Sequence, residues 1–357
     1  MKQIITLLSA GLIISSCALQ PKPWTPDKKP EMEGRYAINN LLESTEWIDL
    51  KGWYGPEDIA IDSAGNLYTG VHLSERDFTN GQIIKIRPDG TISTYCNTES
   101  WVAGLHFDAD GNLIACDSKR GLIKVDPTGK LEVLVTESED GTPIKLPNDV
   151  DIDHEGNIYF SSTSSRYHFS MQNARRIILE AKPDGGLYKY DPKKGQVTTL
   201  IDSTYFGNGV AVAKDAEFVL MVDLTKYRVV RHWLMGDKAG TTDIFLDNLP
   251  GLPNGISRRE DGSFWLGYTT RRSDALDKIQ PKPKLKQLVY ALPLWMQPKQ
   301  EKYGMIMHIS AEGEVLQTYH DPTGQHVSEA ASIEEHNGYL YLGGDLIDHI
   351  GKYKLPH

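Results

Sequence analysis

Six positions of this chain share one offset from a recurring turn, and that shared offset lets their side chains converge. Each lies eight residues before a turn glycine, or before Ala216 in the fourth copy: Glu57, Ala103, Asn148, Asn208, Asn254 and Ala330. One carboxylate and three carboxamides are thus offered at equivalent places. Such oxygens suit a hard cation, because Ca2+ takes roughly six to eight oxygens from carboxylate, amide and water. Zn2+ suits them poorly, since no His or Cys joins the set. Asp58 and Asp149 follow directly in the chain and are placed to orient ligands. Asp149 is the candidate general base. His106, in the equivalent stretch of the second copy, is another candidate for acid–base work, and His72 reads as a structural histidine. An Asn-Gly pair, as at 208–209 and 254–255, is commonly only a turn. Three Asn at one offset argue for a shared role.

The elements that must position these residues are read from the repeat itself. An alternating strand, a Gly turn and a second strand carrying Tyr, Trp or Phe recur six times. The copies begin at Asp58, Gly104, Asp149, Gly209, Gly255 and Ala331. Turn glycines Gly65, Gly111 and Gly156 stand 46 and 45 residues apart, which suits one four-stranded blade each. The fold expected is all-β, a six-bladed β-propeller in which the first strand of each blade lines the channel. The sixth copy ends after one further strand, Ile350–Lys354. Glu46–Leu50 is expected to supply its missing outer strand, closing the ring without a free edge.

Composition and processing signals bound the setting. The chain has 357 residues and a net charge of −10, which argues against a nucleic-acid partner. Lys2 precedes an apolar run, Ile4 to Ile14, too short to act as a stop-transfer helix. The run ends in Ile14-Ser15-Ser16-Cys17, the pattern of a bacterial lipobox. Residues 1–17 are therefore expected to be a lipoprotein signal peptide with Cys17 lipidated, and the protein a membrane-anchored one of the cell envelope. Ala18 rather than Asp after the cysteine points to the outer membrane. Residues 18–44 carry Pro21, Pro23, Pro26 and Pro30 and read as an extended tether with no core of its own. Residues 45–357 would form the propeller, with insertions at 163–184 and 269–302 serving as a lid or a membrane-facing surface. Cys96 and Cys116 lie on different expected strands, so a disulfide and two buried thiols both stay open.

Several segments resemble the strictosidine synthase-like propellers, with the gluconolactonase/regucalcin and paraoxonase groups more distant. They are Leu146–Val150 (LPNDV), Phe206–Val210 (FGNGV), Asp223–Leu234 (DLTKYRVVRHWL), Leu249–Asn254 (LPGLPN) and Glu335–Gly343 (EHNGYLYLG). The resemblance covers roughly residues 45–355 and implies six blades, the number the repeat gives independently. It also implies a metal site. The calcium-dependent lactonases and arylesterases of this superfamily use a Glu on blade one, Asn on middle blades and an Asp on blade five. Glu57, Asn148 and Asn208 match, whereas Asn254 stands where Asp is usual. Ala103 replaces the blade-two histidine of paraoxonases. The glutamate of plant strictosidine synthase falls at Ala331 or Ser332 here, with Glu329 near but out of register, which disfavours a synthase or lyase reaction. The expectation is a calcium-dependent hydrolase of lactones or aryl esters at the channel mouth. Its rival is a non-catalytic propeller that binds a small molecule or an envelope partner.

Overall fold

The turn that ends an inner strand is built by its own side chains. Asp62 Oδ1 accepts the backbone N–H groups of Ala64 and Asn66 at 3.0 and 2.9 Å, and Gly65 takes the left-handed conformation at φ 77°. The same Asp-x-x-Gly-Asn device recurs at Asp108–Asn112 and at Asp153–Asn157. Each turn sends the second strand back antiparallel to the first. In the computed structural model, which describes residues 19–75, 77–293, 296 and 300–356, the unit becomes six four-stranded sheets around one axis. Cys17 and the signal-peptide segment lie outside the described residues.

The ring closes as the sequence suggests. β1 (Glu46–Asp49) pairs with β24 (His349–Lys354), Glu46 opposite Lys352 and Ile48 opposite Ile350. Second strands such as Leu113–Asp117, Ile158–Ser162 and Phe218–Asp223 are buried along their whole length, because each lies between neighbouring blades. The core is therefore a set of layers between sheets. Ile114 and Cys116 of blade two, for example, pack with Ile158 and Phe160 of blade three. Cys96 belongs to a different layer, with Ala60, Ile83 and Val102, and both cysteines are free, buried thiols.

The first insertion carries helix α1 (Met171–Glu180), capped by Ser170 Oγ, which accepts the Asn173 N–H at 3.1 Å. The second carries α2 (Asp274–Ile279) and α3 (Pro283–Ala291), and α1 packs on α3. Residues 19–33 run without regular secondary structure, as their prolines require, and two short 3-10 turns follow at Gly34–Tyr36 and Leu41–Ser44; the segment is laid along the propeller rather than standing free. Leu19 is 2% exposed, and Trp24 meets the Tyr227 ring at 5.8 Å. The Lys22 N–H donates to Glu180 O at 2.8 Å, and Asn39 Nδ2 donates to Thr318 O at 2.8 Å. Isolated apolar anchors and borrowed backbone partners suffice to dock a segment that cannot fold alone.

Candidate functional site

The inner strands share a local defect that aims the ring residues. β6 (Val102–Phe107), β10 (Pro147–Ile152), β14 (Gly207–Val212) and β18 (Gly251–Arg258) all lose register with their partners there. The shifts fall between Val102 and Leu105, Pro147 and Val150, Gly207 and Val210, and Pro253 and Ile256. A bulge turns a side chain out of the ladder. The bulge aims Asn148, Asn208 and Asn254 this way, while Glu57 precedes the short inner strand Ala60–Ile61 of blade one; buried at 5, 3, 3 and 5% exposure in that order, the four line one channel cavity of about 110 Å³. The Asn-Gly pairs are not turns: Gly209 and Gly255 sit inside strands without left-handed φ. Glycine is required there because adjacent inner strands crowd the axis.

Glu57 is the focus of the ring. Its Oε2 is buried with no protein partner. Burial first, and then the carboxylates of Asp345, Asp149, Asp58 and Glu329, hold its carboxyl well above the ordinary range. Asp345 is pushed up to about 8 by burial and by Glu329, and its Oδ1 is also buried without a partner. Glu329 Oε1 accepts the Leu346 N–H at 2.7 Å, and Oε2 accepts Gln300 Nε2 of the second insertion at 3.4 Å. Asn254 Nδ2 donates to Thr269 Oγ1 at 2.9 Å, which leaves its amide oxygen uncommitted. The side-chain amides of Asn148 and Asn208 make no protein hydrogen bond among the described residues. Asp345 and Glu329 were not legible as site residues. Glu329 precedes the ring offset by one, and Asp345 lies on a loop outside the repeat. The Gly343-Gly344 pair before Asp345 was the available signal, since a Cβ at Gly344 would stand 2.6 Å from Glu329 Oε1.

The two candidate acid–base residues are placed differently. Asp149 borders the cavity, but both its oxygens are engaged: Oδ1 accepts Val150 N–H at 2.8 Å and Oδ2 accepts Val210 N–H at 2.7 Å. It stitches blade three to blade four, as Asp58 stitches blade one to blade two through the Leu105 N–H at 2.8 Å. His106 faces the same channel three residues beyond the ring, about 10 Å further along the strand. Its Nε2 lies 3.6 Å from Asp151 Oδ1, and its side chain is 48% exposed. The structure therefore does not bring His106 to Glu57. His72 is buried, with Nδ1 2.6 Å from Ser74 O, and burial lowers its pKa. It packs on Phe78, and Phe78, Trp101 and Phe169 form an aromatic cluster with ring centroids 4.4 to 5.1 Å apart beside Ala103.

The far end of the channel gives a test of these electrostatics. Burial, Asp58 and Asp151 push the Glu334 carboxyl up to about 8. Folding then favours the protonated form, so this contribution is complete below the ordinary glutamate pKa and is lost as pH rises through about 8. Glu57 and Asp345 act with the same sign. Without added metal, the melting temperature should fall between about pH 5 and pH 8. Glu334→Gln should flatten that slope, as melting curves across the range will show.

The sequence comparisons place this propeller in a family. The strictosidine synthase family model matches residues 148–237, and the strictosidine synthase-like N-terminal model matches residues 34–73. Strictosidine synthase-like protein 3 of Arabidopsis thaliana is 32% identical over 340 residues, which are 89% of this chain and 86% of that protein. The chain belongs to the strictosidine synthase-like family. Adipocyte plasma membrane-associated protein of Gallus gallus is 28% identical, over 99% of this chain and 88% of that one. Two solved propellers share the fold of this strictosidine synthase-like chain. A gluconolactonase from Xanthomonas campestris has a TM-score of 0.62 at 15% identity, covering 95% of this chain and 100% of its own. Regucalcin, a calcium-binding protein from Agrobacterium tumefaciens, has a TM-score of 0.60 at 12% identity, covering 87% and 94%. No helix among the described residues is long and apolar enough to cross a membrane.

Proposed function

We propose that this strictosidine synthase-like protein is a calcium-dependent hydrolase of lactones or aryl esters, working at the ring end of its channel. One observation carries the reading: Glu57 presents a buried, unpartnered oxygen among the uncommitted amides of Asn148 and Asn208 and the free amide oxygen of Asn254. An unpaired carboxylate in that position is costly without a cation. Among the described residues no three His, Cys, Asp or Glu side chains are grouped to hold a metal between them, so amide oxygens would make up most of the protein ligands. That donor set suits calcium. Calcium held there would supply Lewis acidity toward a substrate carbonyl and favour the charge that develops on its oxygen.

The chain's own groups do the rest. Asp345 adds the second carboxylate that Asn254 does not provide. Glu329, with its pKa raised by burial and its Oε2 held only by the long 3.4 Å contact from Gln300, joins Asp149 as a candidate to take a proton from water. The aromatic cluster beside Ala103 limits water at the mouth. The test is turnover of a panel of lactones and aryl esters with Ca2+ and again with a chelator. Glu329→Gln should lower kcat by about a hundredfold. Asp149→Asn should instead cost about 1–3 kcal/mol of stability, because it sets an amide against backbone donors. No turnover and no divalent-ion binding would sink the hydrolase. Tight ligand binding without turnover would favour the second reading, a non-catalytic binding propeller. Asn254 is the observation that favours it, since it gives the ring one charge less.

A further inference from the structure

The face of the propeller around the ring is chemically unlike the rest of the molecule. The connections that follow the second strands emerge at this face. Three of them are enlarged: the hairpin around Ser74–Asp77 in blade one and the two insertions in blades three and five. The insertions 163–184 and 269–302 together hold twelve Lys and Arg against five Asp and Glu, whereas the whole chain holds 38 against 48. The remainder therefore carries 26 basic and 43 acidic residues. The two insertions thus carry a net charge of +7 and the remainder of the chain −17. Lys278, Lys282 and Lys284 are exposed on the cap that the insertions form. Large apolar side chains stand out on the same face: Leu73, Leu288 and Met296 are 58, 60 and 50% exposed.

The path of the N-terminal segment adds an independent observation. Leu19 is buried against the cap, and its carbonyl accepts Gln287 Nε2 of α3 at 2.9 Å. Lys22 O accepts Lys286 Nζ at 2.8 Å, and the Lys22 N–H donates to the carbonyl of Glu180 in α1, also at 2.8 Å. The described chain thus begins on the cap, two residues after Cys17. Two residues span at most about 7 Å. A lipid on Cys17 would hold this face, and no other, at a bilayer.

We propose that the cap formed by α1, α3 and the Leu73 hairpin is a docking face for an anionic lipid surface, so that the ring end of the channel opens at the membrane interface. Basic residues near an anionic surface each add attraction, and exposed apolar side chains enter the headgroup region. One consequence rests on the hydrolase reading: the substrates would be amphiphilic esters or lactones arriving from the interface. Docking itself does not depend on turnover.

The experiment uses the full-length chain with Cys17→Ser and either Leu288→Cys or Lys193→Cys carrying an environment-sensitive fluorophore, since the remaining Cys96 and Cys116 are buried. Lys193 lies exposed on the turn between Asp191 and Gln196, at the opposite end of the blades. Vesicles contain phosphatidylglycerol and a nitroxide-labelled lipid. The label at 288 should be quenched and that at 193 should not. Lys282→Glu with Lys284→Glu should reduce partitioning roughly tenfold or more, without loss of folded circular dichroism. Quenching at 193 instead, quenching at neither site, or indifference to the charge reversals would overturn the docking face. Lactone and ester turnover is read separately, so a protein that docks but does not hydrolyse is told apart from one that does neither.

Discussion

Glu57→Gln is expected to abolish calcium binding and to lower kcat by about a hundredfold or more. The substitution keeps the shape and one oxygen but removes the only carboxylate at the ring offset. The neighbouring acids cannot replace it by simple ionisation. Asp345 is pushed up to about 8, Glu57 is raised by burial and by the acids around it, Asp149 by burial and Asp58, and Glu329 by burial. Near neutral pH the cluster therefore holds protons, and a cation entering it must displace some of them. Titration calorimetry in two buffers of different ionisation enthalpy should show that release in the native protein and nothing in Glu57→Gln. Stability should move the other way. Removing one like charge relieves the cluster, so metal-free Glu57→Gln should melt no lower than the metal-free native protein at pH 8. A variant that has lost activity but not stability separates the ligand role from unfolding. Full calcium affinity in Glu57→Gln would transfer the site to Asp345 and Glu329.

The parts of this molecule that could be read in advance are those fixed by local, repeated chemistry. Asp62, Asp108 and Asp153 each build the same turn from their own side chain, so six copies of the unit imply six blades. The missing outer strand of the last copy pointed to Glu46–Leu50 because an unpaired edge is costly, and Glu46–Asp49 pairs there. The ring survived counting for a reason that counting could not supply: the bulge falls at the same place in four inner strands and leaves the offset intact. The offset also held information about His106. It stands three residues beyond the ring position, and the rise of a strand carries it to the far end of the channel. What stayed hidden does not repeat. Asp345 reaches the ring from a single loop and Glu329 by a one-residue displacement. The segment from Leu19 to Trp24 docks through two isolated apolar side chains in a proline-rich stretch that composition alone marks as a free tether.

Gly209→Ala should destabilise the protein by about 3 kcal/mol and weaken ion binding, although the methyl group touches no ligand oxygen directly. Gly209 follows Asn208 on β14, where the neighbouring inner strand β18 passes closest. A Cβ there would stand 2.5 Å from Ile256 N, 2.6 Å from Asn254 O and 2.7 Å from Gly255 Cα. All three are backbone atoms of a strand held on its other side, since the Gly255 N–H donates to Ala331 O at 2.5 Å. No rotamer can relieve the overlap. Blades four and five must separate, and the separation moves Asn254 away from Glu57. Gly262→Ala is the matched control. Gly262 has φ 89° and nothing within 4 Å of the added methyl, so its cost is that of a strained turn alone, about 1 kcal/mol. Melting curves and calcium titrations on the two variants should therefore diverge. Gly262→Ala should lose a little stability and keep its affinity, whereas Gly209→Ala should lose both. Equal stability losses with equal affinities would mean that the inner strands tolerate separation at the axis. The glycine at 209 would then be a feature of the turn-like Asn-Gly sequence rather than a requirement of the ring.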